Sequence, residues 1–133
     1  MALLVPDAGE VAMLDMLLGT ATPEAQTLKL YTNNYDAVEG SVAGSFTEAT
    51  GSGYSAKSLA RATWNAASSA GGVSSKTYPA QTFNFTGSIT IVGYFVVGAT
   101  SGTILWAERL YSGAGQVFAN GDSLTVTPKL EGE

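Results

Sequence analysis

The sequence predicts an all-β fold, an antiparallel, jelly-roll-like β-sandwich preceded by a short N-terminal helix or arm. Three observations predict it. Several short segments alternate apolar and polar residues with a period of two, which is typical of half-buried strands. Gly, Asn and Ser residues that favour turns separate these segments, and an apolar pattern at helical spacing is confined to the N-terminal part. We therefore expect an arm with a short helix over residues 1–25 and a β-sandwich domain over residues 26–133.

The N-terminal segment has the pattern of a helix over residues 8–18. Asp7 and Glu10 have the spacing of a capping box, in which side chains satisfy the first free amides of a helix. Gly19 follows in the position where a glycine commonly ends a helix. The apolar residues that recur at helical spacing are Val11, Leu14, Leu17 and Leu18.

Two arrangements of this helix remain open on the sequence alone. The helix can pack back on its own domain, or the segment can act as an arm that docks on a neighbouring subunit. The apolar run that precedes Pro6 favours the arm, because it adds apolar surface outside the helix. This run consists of Leu3, Leu4 and Val5.

The first half of the β-domain contains one clear strand and two weaker ones. Residues 27–31 alternate cleanly and end at Asn33-Asn34. Residues 46–48 have the composition of a short strand. Residues 54–64 are ambiguous between strand and helix, and their alternation favours a strand.

The second half of the chain has a stronger strand pattern. We expect strands over residues 82–86, 89–97 and 104–110, and a hairpin at Asn120-Gly121 between residues 117–118 and 124–127, because Asn-Gly favours tight hairpin turns. The strand over 89–97 is apolar on both faces, so it is either central in a sheet or covered by a partner. The residues on its second face are Val92, Tyr94 and Val96.

Composition excludes several classes of chemistry. The chain has 133 residues, a net charge of −5, no Cys and no His, and only 13% of its residues are charged, against about 25% in ordinary domains. Disulfides, thiolate nucleophiles and histidine-based catalysis are therefore absent. With only six Lys and Arg residues, we expect no nucleic-acid partner. No apolar run reaches the roughly 18 residues of a membrane helix, so we expect no membrane partner, and no motif indicates a cofactor or a metal.

Carboxylates are the remaining acid–base groups. Glu48 and Glu108 lie in or beside predicted strands and would have to converge to act as a glycosidase pair. Nothing in the sequence brings them together, so ion pairs with Arg61 or Arg109 are the simpler interpretation. We expect no catalytic residues and no enzymatic activity.

Aromatic side chains offer a second function. Tyr and Trp rings can stack on sugar rings, although packing in the core is their usual role. A glycan-binding module would be indicated by exposed aromatic residues clustered on one face. The residues expected in such a cluster are Trp64, Tyr35 and Tyr78.

Several segments of the chain form one pattern. They are Val5-Pro6 with Gly9-Glu10, Met16-Leu17-Leu18, Leu28-Lys29-Leu30-Tyr31-Thr32-Asn33-Asn34, Thr47-Glu48-Ala49 with Gly53-Tyr54, Gly93-Tyr94-Phe95, Leu105-Trp106-Ala107-Glu108-Arg109, and Asn120-Gly121-Asp122 with Val126-Thr127-Pro128. In this order the segments resemble those of small virion proteins encoded among the structural genes of tailed bacteriophages. The resemblance covers most of the chain, and its motifs are strands and turns. It implies a non-catalytic particle component, either a capsid decoration protein or a tail or fibre knob.

We therefore expect a capsid decoration (cement) protein, made in the cytoplasm of the bacterial host. It would form a homotrimer on the outer capsid surface and bind the major capsid protein through buried apolar contacts. The alternative is a tail-fibre or baseplate knob that binds a host receptor or glycan. The residues expected at the interface are Leu3, Leu4, Val5, Val11, Leu14, Leu18, Val92, Tyr94 and Val96.

Overall fold

The computed structural model describes residues 3–19 and 21–132; residues 1, 2, 20 and 133, which belong to the predicted arm and domain, lie outside the described part. The described residues form one α-helix and twelve strands. The helix is α1 (Asp7–Leu18), and the strands are β1 (Leu3–Leu4), β2 (Gln26–Tyr31), β3 (Lys57–Leu59), β4 (Ser68–Ala70), β5 (Val73–Thr77), β6 (Gln81–Asn84), β7 (Ile89–Ile91), β8 (Gly93–Gly98), β9 (Ile104–Arg109), β10 (Gln116–Phe118), β11 (Ser123–Val126) and β12 (Lys129–Gly132).

A five-stranded antiparallel sheet organises the fold, with the strand order β1-β9-β8-β2-β3. Its centre is β8, which pairs with β2 over its whole length and with β9 on the other side. Every strand pair in the described part is antiparallel. The predicted all-β sandwich with an N-terminal helix is therefore confirmed.

The second layer is one long antiparallel ribbon. The register that pairs Gln116 with Ile91 in β10 and β7 continues unchanged to the pair of Val126 with Gln81 in β11 and β6. Between the two ladders, the amide of Phe85 donates to the carbonyl of Asp122 at 2.9 Å. The pairing of β12 with β5 extends the ribbon, and β4 pairs with the far edge of β5. Apolar side chains of the ribbon pack with one face of the five-stranded sheet in a single core cluster.

The other face of the five-stranded sheet is covered by the segment that follows β2. Phe46 in this segment stacks on Phe95 of β8 with ring centroids 5.0 Å apart, and it meets Tyr31 edge to face at the same distance. Tyr35 packs edge to face on Phe46. The central sheet is consequently buried on both faces by its own chain.

This double coverage corrects part of the expected interface. Val92, Tyr94 and Val96 are 0%, 1% and 0% exposed, because Val92 lies in the cluster beneath Phe46 and the other two face the ribbon. The chain itself therefore covers the apolar strand, and these three residues are not available to a partner.

The strand expected over residues 89–97 is divided at Val92. The amide of Val92 donates to the carbonyl of Tyr31 at 2.9 Å, and its own carbonyl accepts from Leu110 and Tyr111 at 3.0 Å. The chain thus passes from the ribbon into the five-stranded sheet at this residue, so β7 and β8 belong to different ladders.

The hairpin expected at Asn120-Gly121 is wrong in its pairing. Gly121 does adopt a positive φ of 90° in a tight turn. The flanking strands β10 and β11, however, pair with β7 and β6 and not with each other. The amide of Gly121 instead donates to the carbonyl of Phe85 at 2.9 Å, so the turn lies within the ribbon.

The remaining strand predictions are confirmed to different extents. The strands predicted over 27–31, 82–86 and 104–110 correspond to β2, β6 and β9. Within 54–64 only Lys57–Leu59 is a strand, followed by a turn of 3-10 helix. The strand expected over 46–48 is reduced to an isolated bridge between Tyr31 and Glu48.

The predicted helix is confirmed as α1, but its expected capping box is wrong. Pro6 precedes the helix and makes no side-chain cap, and Asp7 is already helical. The amide of Asp7 donates to the carbonyl of Glu39 at 2.9 Å, so a neighbouring loop satisfies the helix start. Gly19 ends the helix with a φ of 110°, as its position predicts.

Contact between α1 and β9 depends on Gly9. This residue is buried, and a Cβ atom at its position would overlap the carbonyl oxygen of Leu105. Gly9 therefore marks the line along which the helix meets the sheet. On the same side, Ala12, Met13 and Met16 pack against the core at helical spacing from Gly9.

Replacing Gly9 with Ala tests this contact. Ala is the better helix former by about 1 kcal/mol, but its methyl group would overlap the backbone of Leu105. We expect Gly9→Ala to lower the free energy of unfolding by about 1–3 kcal/mol, the usual cost of overpacking, in denaturant titrations. Gly44→Ala is the control, because a Cβ at Gly44 meets no atom within 4 Å. Equal or greater stability of Gly9→Ala would contradict the packing described.

Candidate functional site

The outer face of α1 is an exposed apolar surface. Its four large apolar side chains are 55% to 77% exposed, although each is a residue that normally favours burial. Val11, Leu14 and Leu18 lie on the side of the helix opposite Gly9, Met13 and Met16, which face the chain's own core, and Leu17 lies between the two sides. We call this surface the α1 outer face, and it consists of Val11, Leu14, Leu17 and Leu18.

The apolar residues ahead of the helix occupy a different position. Leu3 and Leu4 form β1 and pair with Glu108 and Ala107 at the edge of the five-stranded sheet. Both are half-buried, as is Val5, and Leu3 and Val5 pack against the main core cluster. These three residues are therefore partly used by their own chain, and the expected interface residues with large exposed side chains are those on α1.

A cleft of about 220 Å³ lies between the inner side of α1 and the sandwich. Its apolar surface combines two methionines of α1 with residues of β9 and β12, and its polar surface carries one amide and two cations. Pockets that bind small molecules commonly have such a mainly apolar lining with a few polar groups. The residues that line it are Met13, Met16, Gln26, Arg61, Trp64, Lys76, Leu105, Trp106 and Leu130.

Trp64 is the half-buried aromatic side chain of this cleft, and its orientation is held on several sides. Its ring meets Tyr78 edge to face at 5.2 Å and Trp106 at 5.9 Å. Its indole Nε1 donates to the Oε1 atom of Gln26 at 2.9 Å. Trp106 is only 3% exposed and forms part of the floor, where its Nε1 has no hydrogen-bond partner in the described residues.

Cations are concentrated at this cleft. Arg61 starts the 3-10 turn that ends at Trp64, and Lys76 lies opposite Leu130 across β5 and β12. Neither makes a salt bridge within the described part of the chain. The three basic residues that do have carboxylate partners lie elsewhere: they are Lys29, Arg109 and Lys129.

The expected cluster of exposed aromatic residues is only partly present. Trp64 and Tyr78 are neighbours, but Tyr78 is buried at 6% exposure. Tyr35 packs with Phe46 in the cluster on the opposite face of the sheet, and its hydroxyl bonds to that of Ser41 at 2.8 Å. Tyr35 therefore does not join the cluster, because the five-stranded sheet separates it from Trp64.

The two candidate acid–base carboxylates are not brought together. Glu48 forms an isolated backbone bridge with Tyr31. Tyr31 pairs with Gly93, and Gly93 pairs with Arg109, the residue next to Glu108. Three steps of about 4.8 Å between strands separate the two backbones by roughly 14 Å, and the carboxylates turn to different partners, Glu48 to Tyr54 and Glu108 to Tyr94.

Each of these carboxylates also has a structural partner. Glu48 accepts from the Lys29 ammonium at 2.9 Å and from the Tyr54 hydroxyl at 3.1 Å. Glu108 accepts from the Tyr94 hydroxyl at 2.7 Å. Both carboxylates therefore have a structural role, because each accepts a hydrogen bond from a buried or half-buried tyrosine.

In residues 3–19 and 21–132, no cluster of three or more acidic side chains has the arrangement of a metal site. None of the helical segments that the structure describes is long and apolar enough to cross a membrane.

The sequence contained a signal for the inner side of α1, which forms one wall of the cleft. Gly9, Ala12, Met13 and Met16 have the helical spacing of a second apolar face, the one that packs inward. No local pattern predicts that Arg61 and Lys76 lie at one cleft. They are 15 positions apart in the sequence, and only the tertiary fold brings them together.

A small β-sandwich that presents an apolar helix face is suited to forming contacts with another protein. The chain belongs to the family described as podophage GP4 fiber I protein gp80, which matches residues 5–129. This is a family of phage virion structural proteins, so the resemblance to tailed-phage virion proteins is confirmed, whereas the capsid decoration type is not. Neither the curated proteins nor the solved structures contain a match to the chain.

Three of the six tyrosines should ionise late in alkaline solution. Burial raises the pKa of the Tyr31 hydroxyl to about 12. Burial also raises the pKa of Tyr54 and Tyr94, and the neighbouring carboxylates Glu48 and Glu108 raise them further. A raised folded-state pKa favours the unfolded chain once the pH exceeds the ordinary value of about 10.

We therefore expect these three tyrosines to leave the free energy of unfolding unchanged below about pH 10 and to lower it as the pH rises towards about 12 and above. Tyrosinate absorbance and circular dichroism, followed together, measure this. The last part of the tyrosinate signal should appear together with the loss of structure, and Tyr94→Phe should reduce that part. Complete ionisation of a chain that keeps its native circular dichroism would contradict the burial of these hydroxyls.

Proposed function

We propose that this protein is a non-enzymatic structural subunit of a podophage tail fibre that assembles through the α1 outer face. The observation that carries the proposal is the exposure of four large apolar side chains on a helix that is already anchored to its own domain. The fibre description of the family supports this placement better than the outer capsid surface. A capsid decoration role, with the major capsid protein as partner, becomes the alternative that the experiments below separate.

The partner that we propose for this face is another copy of the same chain, in a homotrimer. Asp7, Glu10 and Asp15 are exposed on the same side of α1, so a symmetric contact between copies of the chain must leave these carboxylates at its solvent-exposed rim. The four apolar side chains are 55% to 77% exposed, and their burial is worth about 5 kcal/mol per protomer before the entropy cost of association.

Matched substitutions test the role of the face. Val11 on α1 and Val117 on β10 are both 59% exposed, and Val→Glu adds the same charge at either site. We expect Val11→Glu to weaken self-association at least tenfold in light-scattering measurements, because association would bury an unpaired charge. Val117→Glu should associate like the wild type. A wild-type chain that stays monomeric at all concentrations, or equal effects of the two variants, would overturn self-assembly through α1.

Substitution is a sharper experiment than deletion of the arm. Removing residues 1–24 would also remove β1 from the sheet edge and expose the core under Met13 and Met16. A loss of assembly would then follow from unfolding as readily as from a lost contact.

Labelling of intact particles tests the position in the virion. Antibodies raised against the folded protein should mark the tail fibres in negative-stain electron microscopy, and particles assembled without the protein provide the control for specificity. Labelling confined to the head shell would overturn the fibre placement and support the decoration alternative.

A further inference from the structure

We propose that the cleft lined by Trp64, Arg61 and Lys76 binds an acidic saccharide, a sugar unit that carries a carboxylate. This activity goes beyond assembly, because it uses the inner side of α1. It does not depend on which partner covers the α1 outer face. Three features of the cleft favour such a ligand: its size, its aromatic wall and its charge.

The size of the cleft favours a ligand of one ring. Its volume of about 220 Å³ is below the roughly 300 Å³ at which pockets for drug-sized ligands begin. A compact space of this volume is about 7–8 Å across, whereas three residues of extended peptide span about 10 Å. A single sugar unit with its neighbours outside the cleft therefore fits better than a peptide segment.

The aromatic wall of the cleft is the Trp64 ring, which its neighbours already hold in place without a ligand. Trp64 is half-buried, and Tyr78, Trp106 and Gln26 hold its ring at the distances given above. A pyranose ring presents C–H groups on its faces, which pack on an indole, and hydroxyls at its edge, which need polar partners. Because the indole needs little ordering on binding, the entropy cost of forming this contact is small.

The charge of the cleft selects an anion. Arg61 and Lys76 lie at the same opening and lack carboxylate partners in the described residues. A guanidinium group binds a carboxylate through two parallel hydrogen bonds, which adds geometric specificity to the attraction. Glu10 and Glu131 line the groove on the other side of Lys76. Arg61, which is not part of that groove, is therefore the principal anchor of the carboxylate.

A nucleic acid is a poor fit to the same charges. The chain has only six basic residues and a net charge of −5, and three of those six are paired with its own carboxylates. Phosphate backbones are bound by extended basic surfaces, and two cations at one small opening do not form one.

The chain carries its own probe for this experiment. It contains two tryptophans, and both line the cleft, so tryptophan fluorescence excited at a wavelength that tyrosine does not absorb reports on this cleft. Titration of the full chain with trigalacturonate and with a sialylated trisaccharide should change the emission, whereas a neutral galactose trisaccharide should not. The affinity should fall as salt is added, because the contact is partly ionic.

Matched variants assign the binding to the cleft. Arg61→Gln should weaken binding of the acidic probe at least tenfold by calorimetry, as loss of a charged hydrogen bond predicts, and Lys76→Gln should weaken it less. Lys57→Gln is the control, because Lys57 also lacks a carboxylate partner in the described residues but lies over the Phe83 ring, outside the cleft. It should bind within about twofold of the wild type, a change well under 1 kcal/mol. Circular dichroism establishes that each variant is folded.

Several outcomes would overturn the proposal. They are a folded wild-type chain that binds neither acidic saccharide, equal binding of the neutral one, equal losses in Arg61→Gln and Lys57→Gln, and tighter binding of a glutamate tripeptide, which would assign the cleft to an acidic peptide. Failure here is distinguishable from failure of the fibre proposal, since Arg61→Gln leaves the α1 outer face intact and should assemble like the wild type.

Discussion

The contact of Gly9 with the backbone of Leu105 determines what the protein presents to its surroundings. A helix with apolar residues around most of its circumference could pack on a sheet in several rotations. Only the side that carries Gly9 lets the helix approach the β9 backbone closely, because any Cβ would overlap the Leu105 carbonyl. That rotation turns Met13 and Met16 inward as a wall of the cleft and leaves the α1 outer face in solvent.

A second constraint is the burial of the five-stranded sheet on both faces. The ribbon covers one face, and the segment with Phe46 covers the other, so β8 is enclosed along its whole length. A charged fraction of only 13% is compatible with a neutral polar exterior or with a surface covered by partners. The chain itself covers the strand that favoured the second of these, and the apolar surface left for a partner lies mainly on α1.

Local patterns predicted the elements better than their pairing. Alternation over 27–31 and 104–110 marks strands because each residue's side is set by its immediate neighbours. The turn at Asn120-Gly121 formed as well, yet its flanking strands pair with segments 25 to 45 positions away in the sequence. Strand pairing depends on which apolar faces can be buried together, and that is a property of the whole chain.

The all-β class, the α1 helix, the membership of a virion protein family and the absence of Cys and His side chains all follow from the amino-acid sequence. Packing between distant segments is what places an apolar residue inside the protein or on its surface, and it is what brings Arg61 and Lys76 to one cleft. Val92, Tyr94 and Val96 are as apolar as Val11 and Leu14, and nothing local distinguishes the two sets. Their difference arises because burial depends on what packs across from a residue, and segments distant in sequence supply that packing.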